Sequence, residues 1–174
     1  MAITKLKNKQ RSTVARANGE SFENMLQVQH NQYLRRRVAC ISKVPTATKP
    51  IKQGRKTVWI PDKKTGTDFL GVYRGMPIAI ESKSVNSKTS FPVMMRGQKM
   101  VKQHQQNFLR NFYECGGLAY VVIYLQPLNK LYRLNIIDYQ DLEKEVIKME
   151  RKSIPLSMLE EYEVQLNDYL GGLA

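Results

Sequence analysis

Apolar positions recur at helical spacing in two stretches of this chain and run unbroken in a third. Near the N-terminus, Phe22, Met25, Leu26 and Tyr33 form a stripe that predicts a helix over 19–34, with Asn18 as its cap. Arg35-Arg36-Arg37 follow, and Val38-Ala39-Cys40-Ile41 reads as a short strand. Residues 67–74 and 76–83 read as two strands around Arg74-Gly75, and residues 84–95 as a polar loop holding Phe91-Pro92. Val101, Phe108, Leu109, Phe112 and Cys115 predict a second helix over 97–115, closed by Gly116-Gly117. The run LAYVVIYL at 118–125 is too continuous for a half-exposed strand and predicts a central one buried on both faces. Residues 131–134 supply a partner strand, and a third helix is expected over 138–149. The acidic C-terminal stretch carries no pattern that assigns a structure. This order predicts an α/β domain with a mixed sheet flanked by helices.

Two segments stand outside that frame. Residues 1–17 are polar and basic without a period, and read as a flexible arm. Residues 43–66 (KVPTATKPIKQGRKTVWIPDKKTG) are rich in Pro, Gly, Thr and Lys, with Val58-Trp59-Ile60 the only apolar cluster. A long excursion from a compact domain is usually functional. The expected organisation is an arm over 1–17 and one domain over 18–174, with a projecting basic stalk or β-ribbon inserted at about 44–66.

Composition narrows the function. The chain has 174 residues, 42% of them hydrophobic, enough for one real core. It has no apolar run of the length a bilayer demands, and its basic N-terminus lacks the apolar stretch of a signal peptide. The expectation is a cytoplasmic protein without a membrane partner. Cys40 and Cys115 both stand in apolar contexts, which predicts reduced thiols in the core. The net charge is +13, and residues 1–64 hold 15 Lys and Arg against 3 Asp and Glu. Beyond residue 64 the counts are 13 and 12. A polyanion is the natural partner of that excess, since Lys and Arg displace the counterions condensed on nucleic acid. An anionic membrane surface fits less well, because the basic segment has no strong amphipathic helical pattern.

The candidate chemistry lies in residues 67–83. If Arg74-Gly75 is a two-residue turn, Tyr73 faces Met76 and Asp68 lands opposite Glu81. Opposed residues of a hairpin have Cβ atoms about 4.5–5.5 Å apart on one face. Lys83, two positions on, shares that face. Two such carboxylates repel each other unless a divalent cation lies between them. Mg²⁺ is typically held by one or two carboxylates plus substrate phosphate, and a neighbouring lysine can orient water or offset phosphate charge. An ordinary exposed hairpin would carry the same pattern, so spacing alone leaves both readings open. Gln105 sits in the apolar stripe of the second helix and needs a partner there, either core backbone or this site. Glu23 borders the first helix's stripe; it is either an exposed helix-start glutamate or a group facing the same cleft. With only His30 and His104, histidine-metal nuclease and zinc chemistries fit poorly, and no Walker loop or GxGxxG occurs.

These residues resemble the RecU family of Holliday junction resolvases, and more broadly the PD-(D/E)xK nucleases. The likeness starts at Gly19-Glu20-Ser21-Phe22-Glu23 and continues through Ala39 to Thr46. It is strongest from Thr67-Asp68 through Gly71-Val72-Tyr73-Arg74-Gly75 to Glu81-Ser82-Lys83. Thr89-Ser90-Phe91-Pro92, His104-Gln105, Gly116-Gly117 and Arg151-Lys152-Ser153-Ile154 follow in order. It departs at Ala47, where the family tends to show proline, and in the excursion and the acidic C-terminus.

The resemblance implies a restriction-endonuclease-like fold and cleavage of branched DNA at four-way junctions by a homodimer that nicks symmetrically. It implies Mg²⁺ (or Mn²⁺) on Asp68 and Glu81, Lys83 as the catalytic lysine, and Thr67, Glu23 and Gln105 in the site. The excursion would be the family's stalk. Arg11 and Arg16 of the arm would hold DNA, with Arg35, Arg36, Arg37, Lys49, Lys52, Arg55 and Lys56 as further contacts. Recombination proteins are candidate partners. Two alternatives remain at this point: another structure- or sequence-specific endonuclease of the same fold, or a junction-binding protein without catalysis.

Overall fold

The computed structural model describes residues 2–45, 48–61 and 66–173, with side chains from residue 19 onward except at 60–61. Helix α1 (Ala2–Arg35) leads into β1 (Ala39–Lys43), and β2 (Thr48–Gln53) and β3 (Lys56–Pro61) form a separate ribbon. Strands β4 (Phe69–Tyr73) and β5 (Met76–Val85) make the next hairpin. Short strands β6 (Ser90–Pro92), β7 (Met94–Met95) and β8 (Gln98–Lys99) precede α2 (Gln103–Glu114). Then come β9 (Leu118–Leu125), β10 (Lys130–Asn135), α3 (Ile136–Lys148), β11 (Ser153–Pro155), α4 (Leu156–Leu159) and β12 (Glu163–Val164).

Six strands form one mixed sheet in the order β1-β4-β5-β9-β10-β12. Only β5 and β9 run parallel, joined by the crossover that contains α2. Helices cover both faces. Phe22, Leu26 and Tyr33 of α1 pack with Phe69, Ile78, Ile80 and Val122 on one face. Leu109 of α2 and Tyr139 and Val146 of α3 pack with Ala79, Val121 and Ile123 on the other. Strand β9 sits between these two cores, which is why its sequence is apolar almost throughout.

Several elements differ from the sequence expectation. Helix α1 is continuous from Ala2, so Asn18 lies inside it rather than at its start. No proline interrupts residues 2–35, and Ala, Lys, Arg, Gln and Leu favour helix. The side chains of Arg11 and Arg16 lie outside the described residues, as do Thr46 and Ala47 altogether. Helix α2 begins at Gln103, not near residue 97. Gly97 (φ +76°) with Arg96 (φ +52°) instead closes the β7–β8 turn, and Val101 is buried ahead of the helix. The expected loop at 84–95 contains the end of β5 and all of β6, which pairs with β11.

The cysteines are free but exposed, not in the core. Cys40 points outward on edge strand β1 between the buried Ala39 and Ile41, and Cys115 is the residue at which α2 ends. The acidic C-terminus is docked against α1. Tyr169 bonds His30 Nε2 at 2.6 Å, Tyr33 donates to Asp168 at 3.0 Å, and the Leu170 amide donates to Tyr33 Oη at 3.1 Å. Burial pulls the His30 imidazole down to about 4, so this contact is made by a neutral ring. Among the described residues no helix is long and apolar enough to cross a membrane.

Candidate active site

The β4–β5 hairpin closes on Arg74-Gly75, with φ +46° and +84°. Positive φ at both turn residues is the geometry of a tight two-residue hairpin. Tyr73 therefore pairs with Met76 and Phe69 with Ile80, the register the turn predicts. One step further, the Asp68 amide donates to the Ile80 carbonyl at 3.2 Å, which brings Asp68 alongside Glu81. Leu70 and Ala79 share the α2–α3 side of the sheet, whereas Phe69 and Ile80 face α1. Alternation puts Glu81 and Lys83 on the α2 side together, while Asp68 stands at the bend just ahead of β4.

Glu81 is fully buried. Its Oε1 accepts from the Lys83 ammonium and, at 2.6 Å, from the Gln105 amide in the first turn of α2. Gln105 is itself fixed, since its Oε1 accepts from the Lys102 backbone at 3.0 Å. The sequence allowed Gln105 either backbone or the site carboxylate as partner, and the fold gives it both, backbone at Oε1 and the carboxylate at Nε2. Asp68 Oδ2 takes two donors from Ser82, the amide at 2.9 Å and the hydroxyl at 2.8 Å. Thr67 is buried beside it. Gly66 lets this strand lie against α2, because a Cβ there would sit 2.3 Å from the Phe108 ring.

Glu23 comes from α1 on the opposite face and forms an ion pair of 2.6 Å with Lys43 at the end of β1. Its charge still reaches the site. Burial pushes the Glu81 carboxyl up to about 7, Lys83 opposes that shift, and the charges of Asp68 and Glu23 reinforce it. The Lys43 ammonium is raised, chiefly by its bond to Glu23, with Asp68 adding to the same field.

Two buried oxygens here have no partner, Glu81 Oε2 and Thr67 Oγ1. A buried orphan acceptor is costly, and a cation or its bound water would satisfy it. Among the described residues no group of three or more His, Cys, Asp and Glu is placed to hold a metal. The donor set is therefore sparse, two carboxylates. That suits a hard cation that keeps waters and shares a phosphate, not a closed protein cage.

The basic candidates lie apart from this buried cluster. Arg35, Arg36 and Arg37 are exposed at the end of α1 and just beyond it. Lys49, Lys52, Arg55 and Lys56 are exposed on the β2–β3 ribbon, which departs after Lys43 and returns shortly before Asp68. Trp59 on β3 is 65% exposed, unusual for an indole.

Sequence reasoning missed Ser82 and Lys43 as site neighbours, though both sit inside its motifs. It also missed Glu143. This buried α3 carboxylate accepts from Lys99 at 2.6 Å and from Gln106 at 3.1 Å. Consecutive glutamines thus grip two buried glutamates, Gln105 the one on β5 and Gln106 the one on α3. The available signal was Glu143 standing next to Leu142 in the apolar stripe of α3.

The family model described as recombination protein U matches residues 17–172. A Holliday junction resolvase RecU of Pediococcus pentosaceus is 33% identical over 155 residues, covering 85% of this chain and 75% of that protein. A Holliday junction resolvase RecU of Lactococcus lactis subsp. lactis is 31% identical over 162 residues, covering 86% and 71%. Among solved structures, Archaeoglobus fulgidus Hjc, a Holliday junction resolvase, aligns with a TM-score of 0.50 at 18% identity. The alignment covers 88% of this chain and all of that one, and supports the restriction-endonuclease-like fold.

Proposed function

The chain belongs to the RecU family, and on that premise we propose that it is a metal-dependent endonuclease that resolves four-way DNA junctions by symmetric nicking. The observation that carries this reading is Asp68 held by Ile80 and Ser82 next to a fully buried Glu81, with Lys83 bonded to that glutamate. A buried carboxylate with one unpartnered oxygen has little structural use, and its desolvation works against folding.

In this reading Asp68 and Glu81 would hold Mg²⁺ (or Mn²⁺), with Thr67 as a further member of the site. When bound, the ion would stabilise charge on the scissile phosphate and acidify a water. Gln105 holds the Glu81 carboxylate in one orientation. Lys83 places a positive charge beside the attacked phosphate and orients the water for in-line attack. Glu23 keeps Lys43 at the mouth of the site. The products carry a 5′-phosphate and a 3′-hydroxyl. One nuclease domain, 18–174, would carry the stalk at about 44–66. Two such domains in a homodimer would cut opposed strands, with the basic residues of α1 and the ribbon holding the arms. The setting is recombination and repair in the cytoplasm, with recombination proteins as further partners.

The decisive assay follows end-labelled four-way junction, flap and plain duplex on a denaturing gel, with and without Mg²⁺. Paired nicks in the junction alone, only with the ion, are the expected result. Equal cutting of flap or duplex assigns a different nuclease specificity, and tight binding without cutting leaves a junction-binding protein.

A further inference from the structure

The charge balance beyond residue 64 hides a sharp segregation. Residues 82–113 contain six Lys or Arg and no Asp or Glu, whereas ten acids lie in 114–174. The fold gathers much of this acid-free run at one place, the β7–β8 hairpin and the start of α2. There a cleft of about 750 Å³ is lined by Gln98, Lys99, Lys102, Gln103, His104 and Asn107. No carboxylate lines it. Glu143, beneath Lys99, is buried and bound to Lys99 and Gln106. That clamp ties the hairpin to α2 and α3. Arg96 is exposed at the hairpin turn and Lys102 at the head of α2.

The cleft is coupled to the cutting site through one side chain. Gln105 accepts from the Lys102 backbone and donates to Glu81, so the cleft and the buried carboxylate are neighbours on the same side of the sheet. Phosphate oxygens accept from lysine, arginine and amide side chains, which is the chemistry this lining offers. Glutamine and asparagine mixed with cations, with no Phe, Tyr or Trp in the lining, suits a duplex backbone better than splayed bases. We propose that the acid-free cleft lined by Lys99 and Lys102, together with Arg96 exposed at the adjoining hairpin turn, is a second DNA-backbone site, which takes the duplex arm flanking the cut. It rests on the nuclease reading for the position of the cut, but not for the binding itself.

The test uses the full chain in EDTA, so that binding is read without cleavage. Arg96→Asn suits the left-handed backbone at that turn, and Lys102→Gln removes the second charge. Both residues are exposed, and an unchanged melting temperature verifies the fold. Binding of a plain duplex and of a four-way junction is measured across a salt titration. The double variant should lower the slope of log affinity against log salt by about two for both DNAs. Affinity at moderate salt should fall on the order of tenfold for both. Unchanged slopes overturn the proposal, and so does a loss confined to the junction, because the arm is ordinary duplex. A wild-type chain that binds as described but never cuts sinks the nuclease reading and leaves this site standing.

Discussion

Two hairpins of this molecule close on the same pair of residue types, Gly54-Arg55 between β2 and β3 and Arg74-Gly75 between β4 and β5. Their surroundings are opposite. The β4–β5 hairpin lies inside a six-stranded sheet with helices on both faces, and Glu81 on it has no exposed surface. The β2–β3 ribbon is a sheet of its own, and on β2 every residue except Ile51 is exposed. The same local turn chemistry thus serves two ends. Covered by helices, a hairpin can hold charged groups in one geometry against their repulsion. Left uncovered, it can deliver only what needs no such precision, positive charge and the exposed face of Trp59.

That contrast predicts the largest effect at Glu81. Glu81→Gln should cut the single-turnover rate on a four-way junction on the order of 10³-fold, with junction affinity nearly unchanged. A variant that still nicks at the wild-type rate removes the carboxylate from the chemistry and makes the two hairpins alike.

The same residue predicts an inverted pH dependence of stability without metal. Its folded value is about 7, against an ordinary 4.5. Between those values the folded chain keeps a proton that the unfolded chain has released. Stability is therefore fullest below about 4.5 and is lost as pH rises toward about 7, the reverse of a salt-bridged surface carboxylate. Melting curves in EDTA across that window should show the decline, and Glu81→Gln should flatten it. A flat wild-type profile would mean the glutamate is ionised and compensated throughout.

Glu143 sharpens the comparison from the other side. If buried polar groups hold α2 in place for the site, Glu143→Ala should cost about 2 kcal/mol in urea unfolding, and Glu143→Gln much less. Equal, negligible costs would show that the clamp contributes nothing.

The smallest stability effect belongs to the ribbon. Lys52→Gln with Arg55→Gln and Lys56→Gln should leave the melting temperature within about 1 °C. The salt slope of junction binding should drop by about two to three. A large loss of stability would show that the ribbon is packed against the domain after all.

Much of the site was legible before any coordinates. Arg74-Gly75 suits a tight turn, and a two-residue turn there dictates the register. The strand period of two then sets Lys83 on the face of Glu81, whereas Asp68 is placed by the bend ahead of β4 and its bonds to Ser82. The buried strand at Leu118–Leu125 and the stripe of Phe22, Leu26 and Tyr33 were equally local statements. The start of α2 was misplaced because Val101 fits a helical period while Gly97 closes a hairpin, and periodicity alone cannot choose between them. The thiols of Cys40 and Cys115 misled for a related reason, since apolar neighbours in sequence need not share a face.

What the chain by itself determined, then, is the set of relations between residues a few positions apart: periods, turns, one hairpin register and the segregation of charge. Tertiary structure alone decided which face met which. It chose Glu81 as the partner of Gln105, brought Glu23 to Lys43 from the far side of the sheet, and set Tyr169 under His30. The physical reason is that local patterns follow from backbone geometry within a few bonds. A contact between distant segments depends instead on how complete apolar faces pack together, and no single stretch of sequence carries that information.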